Sequence, residues 1–329
     1  MIDIIKKLCE FPTAPGSENG ILSYLEEAYS EKYGILRDGM DNLTIVKKCG
    51  KDNAKKIMLV VRTDTDGFIV NYIQDNGYLR VTKLGSPILS SCVYGELVSD
   101  KGVHGFLVPE KGAEIKEDTA KYYVDIGAVD KAEAEKLVPL GDILAVIPKA
   151  EALAGGRIGG RGVGTVVGIS VLLYLLENAT SENCDLYFTF TTQDCLLKRG
   201  AKTSAFDIAP DFCITVEPCE SFDVPASNRR GEAVLGDGAV ILAKTSDYAP
   251  SVLLRKKAEE IAEEKKIPHT TCVYSDKTTP ASVISKCGIG CECLAVAFPA
   301  RSIGSGAEIV DSSDIESINS LISALVSRL

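Results

Sequence analysis

The second half of this 329-residue chain alternates between strand-like and helix-like segments, which restricts the fold more than any other feature. Apolar spacing predicts helices at 163–178, 200–206, 251–265, 280–287 and 312–328, and strands at 185–192, 212–217, 239–244, 270–275 and 293–298. Two helices at 2–9 and 19–30 and a buried strand at 57–61 precede them. Such alternation predicts an α/β fold with a mostly parallel sheet covered by helices on both faces.

Residues 68–150 interrupt this alternation. Short β-prone segments are separated by closely spaced Gly and Pro, and Asp75-Asn76-Gly77 is a hairpin signal. The β-prone segments are 68–73, 78–82, 93–98, 104–108, 122–126 and 143–147. We therefore predict a small β-barrel-like domain at 68–150, inserted into an α/β domain built from 1–67 and 151–329.

Charge and composition exclude several classes of protein. The formal net charge of −10 argues against binding to a phosphate backbone, which requires clustered Lys and Arg. No apolar run reaches 18 residues, and the N-terminus lacks the features of a signal peptide. The 11 cysteines form no CxxC pair, which fits a reducing compartment. We expect a cytoplasmic protein with no nucleic-acid or membrane partner.

Acidic residues follow or end three of the predicted strands. Asp64, Asp194 and Glu217 stand at these ends. The carboxyl ends of parallel strands meet at one edge of a sheet, where open α/β folds bind their ligands. We therefore predict that the three carboxylates converge in a crevice.

A glycine-rich segment at 155–165 precedes the helix at 163–178. It lacks the Lys and Ser/Thr of a P-loop and the spacing of a dinucleotide fingerprint. Two interpretations remain open: a tight turn between strand and helix, or an anion site formed by backbone amides at the helix start.

The chain resembles, over nearly its whole length, the dinuclear-zinc aminopeptidases that assemble as tetrahedral dodecamers. This family includes glutamyl aminopeptidases and relatives often labelled endoglucanases. The segments that carry the resemblance are Pro12-Thr13-Ala14-Pro15-Gly16, Met58 to Val70, Asp125-Ile126-Gly127-Ala128 with Gly141-Asp142, Gly159-Gly160-Arg161, Gln193 with Arg199-Gly200-Ala201, and Pro299-Ala300-Arg301-Ser302-Ile303 with Glu308.

The resemblance implies a site for two zinc or cobalt ions, but the first ligand positions differ here. Arg62 stands where the family has a His ligand, while Asp64 keeps the Asp that orients that His. Gly159 and Gly160 replace two consecutive Asp, the first of which bridges both ions, and Arg161 follows them as in the family. Glycine offers no ligand atom, and an arginine cannot lose its proton to coordinate zinc.

The remaining ligand positions also differ. The family's general base and the Glu ligand after it correspond to Asp194 and Cys195, and its Asp ligand corresponds to Glu217. Its last His ligand is Gly304. We expect no metal and no other cofactor, and an inactive Asp194. The Arg62 guanidinium is expected to occupy the vacated metal space, paired with Asp64 and with Glu217 or Asp194.

The favoured function is a pseudo-enzyme or scaffold subunit without peptidase activity. One alternative is a working aminopeptidase with a single metal on Glu217, Asp194 and Cys195. Another is a protein that binds small carboxylates or acidic peptides in a cleft lined by Arg62 and by Arg161 and Arg301. The resemblance also implies a homo-oligomer, from dimer to dodecamer, or a hetero-oligomer with active paralogues, with the insertion at 68–150 as the oligomerisation domain.

The cysteines and histidines allow further interpretations of the site. Cys195 is either a nucleophile activated by Arg62 or an inert replacement. The group Cys287, Cys291 and Cys293 is either a zinc site or a set of ordinary buried cysteines. His104 and His269, the two histidines of the chain, are expected to be structural. Endoglucanase activity is the weakest alternative. It would require Asp194 and Glu217 to form the pair of catalytic carboxylates.

Overall fold

The structure is a computed structural model that describes residues 1–225 and 233–329. Its helices are α1 (Ile2–Leu8), α2 (Asn19–Tyr29), α3 (Leu89–Cys92), α4 (Lys131–Leu137), α5 (Val163–Asn178), α6 (Arg199–Ile208), α7 (Val252–Glu264), α8 (Ala281–Ile284) and α9 (Ser312–Val326). Among the described residues, none of these helices has the length and apolar character needed to cross a bilayer.

The strands are β1 (Gly34–Arg37), β2 (Leu43–Lys47), β3 (Lys55–Arg62), β4 (Gly67–Ile73), β5 (Leu79–Leu84), β6 (Glu96–Ser99), β7 (His104–Pro109), β8 (Tyr122–Asp125), β9 (Ile143–Val146), β10 (Lys149–Ala152), β11 (Arg157–Arg161), β12 (Cys184–Thr191), β13 (Phe212–Glu220), β14 (Ala239–Lys244), β15 (His269–Val273), β16 (Glu292–Ala300) and β17 (Glu308–Asp311). They form an eight-stranded sheet, a three-stranded sheet and a closed barrel.

The eight-stranded sheet has the order β1-β2-β12-β3-β13-β16-β14-β15. Its central strands β12, β3, β13 and β16 are mutually parallel. One face packs on a large apolar cluster that includes residues of α1, α2, α5, α7 and α9, and the other packs on a second cluster that includes residues of α6 and α8. The predicted α/β fold, with helices on both faces of a mostly parallel sheet, is confirmed.

The predicted β insertion is a closed six-stranded barrel. Its strands pair in the order β4-β5-β8-β7-β6-β9, and they enclose an apolar core of their own. Closure removes the unpaired strand edges that an open sheet of this size would expose. Strand β4 begins a few residues after β3 ends. The barrel is therefore attached at the edge of the sheet where the three carboxylates are predicted to lie.

Several features of this architecture differ from the predicted elements. The antiparallel strands β1 and β2 at one edge of the sheet were not predicted, and the predicted helix 280–287 is a single turn, α8. The glycine-rich segment is more than a turn, because it contains β11. This strand pairs with β10 and β17 in the three-stranded sheet.

Two neighbouring glycines in β11 differ in how much space surrounds them. A Cβ added to Gly160, which has φ +154°, would lie 1.9 Å from the Lys149 carbonyl oxygen of the paired strand. A Cβ added to Gly159 would meet Cδ1 of Leu153 at 2.6 Å, which is the end of a flexible side chain. Backbone cannot yield as a side chain can, so a side chain at position 160 is incompatible with this strand pairing.

We predict that Gly160→Ala destabilises the protein by about 3 kcal/mol or more, because overpacking against backbone cannot be relieved by a rotamer change. The matched variant Gly159→Ala should cost about 1 kcal/mol, since Leu153 can move aside. Chemical denaturation of both variants measures the difference. Equal losses in the two variants would contradict this account of β11.

Candidate functional site

Three parallel strands bring the predicted carboxylates to one edge of the sheet. Strands β3 and β12 end level with each other, with Arg62 paired to Thr191, and Glu217 lies near the end of β13. Here a cleft of about 390 Å³ is lined by Arg62, Asp194, Cys195, Glu217 and Lys277, among others. The cleft lies where open α/β sheets bind ligands.

The turn between β12 and α6 holds Asp194 and Cys195 in a strained loop. Gln193, Leu197 and Lys198 all have positive φ values, of 52°, 63° and 57°. Residues other than glycine rarely adopt this conformation. Backbone strain of this kind is found mostly at functional sites. The amide of Gln193 donates to the buried carboxylate of Glu18 over 2.7 Å, which fixes the start of the turn.

Arg62 is half-buried at the end of β3 and lines the cleft. Its NH1 donates a long hydrogen bond of 3.8 Å to Cys195 Sγ, and its buried Nε has no hydrogen-bond partner. Burial alone would lower the pKa of Arg62, but neighbouring groups raise it, Cys195 first and then the carboxylates of Asp64, Asp66 and Glu308. The guanidinium therefore stays charged among these acids.

The expected ion pairs of Arg62 are not formed. Within the described chain, no carboxylate oxygen lies within 4.0 Å of its guanidinium, so it pairs directly with neither Asp64, Asp194 nor Glu217. Its charge acts on Asp64 and Asp194 at longer range. Beside Glu217, a different cation occupies the position.

Lys277 is this second cation, and the sequence analysis missed it. Its Nζ lies 2.9 Å from Oε2 of Glu217 and donates to the Pro218 carbonyl over 2.6 Å. Oε1 of Glu217 accepts hydrogen bonds from Thr279 Oγ1 and from Thr215 Oγ1, the latter over 3.3 Å. The buried Glu217 carboxylate is thus paired and hydrogen-bonded on both oxygens. No sequence pattern distinguishes Lys277 from the other lysines of the chain.

Asp64 and Asp194 are both buried, and each carries one oxygen without a partner. Oδ2 of Asp64 accepts from the Cys195 amide over 2.8 Å, and Oδ1 of Asp194 accepts from the Ala201 amide over 3.3 Å. Asp64 Oδ1 and Asp194 Oδ2 accept no hydrogen bond from any residue in 1–225 or 233–329. Burial, reinforced by the charge of Asp64, raises the pKa of Asp194 to about 7. A carboxyl with this pKa is partly protonated at neutral pH.

Cys195 has the environment of an inert thiol. Burial raises its pKa far above the ordinary value, although the charge of Arg62 opposes this shift. The thiolate, not the thiol, is the nucleophile in cysteine chemistry. Neither His104 nor His269 lies in the cleft: His104 contacts Glu96 in the barrel, and His269 contacts the Ile267 carbonyl at the start of β15. The geometry therefore does not favour a nucleophilic Cys195.

Glu308 supplies an internal anion at the start of α5. Its carboxylate accepts from the amides of Gly164 and Gly304, each over 2.7 Å. A second, smaller cavity beside it is lined by Arg62, Arg161 and Gly304, among others. The glycine-rich segment thus does bind an anion with a backbone amide, and that anion is a side chain of the same protein.

The two other arginines of the predicted cleft have structural partners. Arg161 donates from NH2 to the Ser91 carbonyl over 2.6 Å and lines only the smaller cavity. Arg301 donates from Nε to Asp223 over 2.8 Å and lines neither cavity. Gly159 and Gly160 lie in β11, behind Arg161. Of the three arginines, only Arg62 faces the main cleft.

The three cysteines near β16 do not form a metal centre with their neighbours. Cys293 is buried opposite Cys213 of β13, while Cys287 and Cys291 are half-buried. Nowhere in residues 1–225 and 233–329 do three or more His, Cys, Asp or Glu side chains meet in a group that could hold a metal ion.

The cleft also fails a chemical test for the family's two metal ions. Ions that share a water need several anionic or neutral ligands around them. Here Glu217 is bound to Lys277, Arg62 stands at another ligand position, and positions 159 and 304 are glycine. These residues do not fit a dinuclear centre.

The sheet, the inserted barrel and the cleft between them define an α/β fold of the metallo-aminopeptidase type. The sequence profile of the M42 glutamyl aminopeptidase family matches residues 42–321. This chain belongs to the M42 glutamyl aminopeptidase family.

Relatives agree with this assignment over the full length. A provisionally named aminopeptidase of Acetivibrio thermocellus is 30% identical over 326 residues, covering 98% of this chain and 97% of the relative. The aminopeptidase APDkam598 of Desulfurococcus kamchatkensis superposes with a TM-score of 0.92 at 27% identity, covering 100% and 94% of the two chains. The dodecamer PhTET1-12s superposes with a TM-score of 0.88 at 25% identity, covering 100% and 99%.

We predict that Asp194→Asn stabilises the protein increasingly as pH rises from about 4 to 7. The pKa of Asp194 is raised in the folded state to about 7, so the folded state binds more protons than the unfolded state in this window. Wild-type stability therefore falls with rising pH through this group, and the neutral Asn removes that loss.

The stability difference between variant and wild type should reach about 2 to 4 kcal/mol near pH 7 and vanish near pH 4. Urea denaturation across this pH range measures it. Asp207→Asn is the control, because Asp207 is exposed. A difference that does not change with pH would contradict the account of Asp194.

Proposed function

We propose that this chain is a member of the M42 family that has lost dinuclear metal binding and peptidase activity and acts as a pseudo-enzyme. The observation that carries the proposal is the Lys277 ammonium, which lies 2.9 Å from Glu217 at a ligand position of the family. A metal ion at that carboxylate would have to displace a bound cation. The Arg62 guanidinium adds a second fixed positive charge in the same cleft.

Water activation would lack the metal pair that the family uses. The family's general base corresponds to Asp194, whose pKa of about 7 leaves it partly protonated at neutral pH. Its two oxygens are buried, and one of them accepts from the Ala201 amide. A pKa near 7 suits a general base, so the site lacks the metal ion that lowers the pKa of a water and not a proton acceptor.

The closed barrel and the full-length fold support a role in assembly. The closed barrel has its own apolar core, and the chain superposes over its full length on the dodecamer PhTET1-12s. We propose that this chain assembles as a homo-oligomer, or with active paralogues, and that the barrel contributes to the contacts. A subunit of this kind would shape a particle without adding catalytic sites.

Capture of small carboxylates is the second candidate. Arg62 donates only one long hydrogen bond within the described chain and faces both cavities. The planar fork of an arginine suits a carboxylate. The acids near Arg62 oppose this function, since Asp66 lines both cavities as well.

The test is turnover of aminoacyl-nitroanilides by purified protein in the presence of excess Zn²⁺ or Co²⁺. We expect no turnover above that of a preparation denatured and refolded without metal, while an M42 enzyme with a complete ligand set, assayed in parallel, should be active. Activity that is lost in Glu217→Gln would overturn the proposal and favour a single-metal enzyme. Binding of glutarate that is lost in Arg62→Met would favour the second candidate.

A further inference from the structure

Charged side chains of both signs line the main cleft. Along its described lining, three are cations and three are acids: Arg62, Lys198, Lys277, Asp66, Asp194 and Glu217. Lys277 is paired with Glu217 over 2.9 Å, and Lys198 is paired over 2.9 Å with Asp247, which lies outside the lining. Asp194 is only 7% exposed. Arg62 and Asp66 therefore remain as the accessible cation and the accessible anion of the cleft.

Arg62 and Asp66 both have unused hydrogen-bonding capacity. The Arg62 guanidinium donates one long hydrogen bond of 3.8 Å to Cys195 Sγ and forms no ion pair within residues 1–225 and 233–329. Oδ1 of Asp66 accepts from the Ser86 amide over 2.8 Å, while its Oδ2 has no donor in the same part of the chain. Both side chains are partly exposed. A ligand that carries a negative and a positive group can bind both of them.

Apolar side chains line the same cleft. Leu197 is 91% exposed on the strained turn before α6, and Pro280 and Ile303 are half-buried. A ligand that covers Leu197 removes apolar surface from water, which favours binding. The volume of the cleft, about 390 Å³, lies within the range of small-molecule sites, which is about 300–1,000 Å³. The cleft thus combines an unpaired cation, an unpaired anion and exposed apolar surface.

We propose that the cleft binds a free α-amino acid with an apolar side chain, without a metal ion. Arg62 binds the carboxylate, because its planar fork suits that group, and Asp66 accepts from the ammonium, which has three donors. The apolar side chain packs on Leu197 and Ile303. The proposal rests on the second candidate function, in which Arg62 captures a carboxylate. Asp66 opposes a simple carboxylate, but it becomes a binding group for a zwitterion.

Isothermal titration calorimetry in the presence of EDTA tests the need for both charges. The probes are L-leucine, 4-methylpentanoate, which lacks the ammonium, and 3-methylbutan-1-amine, which lacks the carboxylate. We expect leucine to bind at least about tenfold more tightly than either, because each fragment leaves one charged group of the cleft without its partner. Equal affinities for the three probes, or no binding of leucine at millimolar concentration, would overturn the proposal. Leucine binding that requires added zinc would also overturn it.

Variants assign the two charges to their residues. Asp66→Asn should weaken leucine binding at least about tenfold and leave 4-methylpentanoate bound as tightly or more tightly, because it removes only the negative charge. Arg62→Met should weaken the binding of both and leave that of 3-methylbutan-1-amine intact. Asp276→Asn is the control, since Asp276 is exposed and lies outside the cavity lining. Equal losses of leucine and 4-methylpentanoate affinity in Asp66→Asn would contradict the role of Asp66.

A third variant tests the apolar part of the site. Leu197→Ser changes an exposed position outside the core and should weaken leucine binding about threefold or more, with glycine binding unchanged. Unchanged leucine affinity in this variant would overturn the assignment of the side-chain position.

The outcomes also separate this proposal from the functions proposed above. Equal affinities for leucine and 4-methylpentanoate, both lost in Arg62→Met, would overturn the amino-acid site and retain the capture of simple carboxylates. Turnover of leucyl-nitroanilide in zinc would overturn the pseudo-enzyme, whereas leucine binding in EDTA has its own calorimetric readout and would still support the amino-acid site.

Discussion

Buried carboxylates at the ends of the parallel strands depend on nearby positive charge, and two side chains of this protein supply it. Lys277 neutralises Glu217 directly over 2.9 Å. Arg62 acts at longer range on Asp64, Asp66 and Glu308. Because like charges at close range repel strongly in a partly buried site, a cleft with these acids and no cation would be unstable. The fold brings the acids together, and the two cations offset the repulsion between them.

At the other positions of the site, acidic residues are either replaced or neutralised by other means. Gly159 and Gly160 in β11 stand where the family has two consecutive Asp, the first of which bridges the ions, and the backbone of the paired strand leaves no room for a side chain at position 160. Glu308 is held by the amides of Gly164 and Gly304. Asp194 accepts one amide hydrogen bond, and its raised pKa of about 7 lets a proton take the place of a counter-ion. Each retained acid thus has its own means of neutralisation.

Sequence reasoning reached the α/β sheet and the inserted barrel, because strand periodicity determines them. It predicted that Asp64, Asp194 and Glu217 converge in a crevice. Asp194 and Glu217 line the cleft, whereas Asp64 is fully buried and lines neither of the two cavities. Sequence reasoning did not reach Lys277, since an ion pair across 60 residues of chain leaves no local pattern. It expected Arg62 to pair directly with the acids, and it missed β11, because a glycine-rich strand lacks the apolar alternation of ordinary strands. It also gave Arg301 a place in the cleft, although Asp223 binds it elsewhere.

Membership of the M42 family and the altered ligand set together make the metal content of the protein decisive. The most direct measurement is the number of zinc ions retained per chain after equilibrium dialysis against micromolar zinc, counted by inductively coupled plasma mass spectrometry. If guanidinium and ammonium groups have replaced the metal pair, the protein should retain no stoichiometric zinc. Two ions per chain, removed only by a strong chelator, would contradict this account.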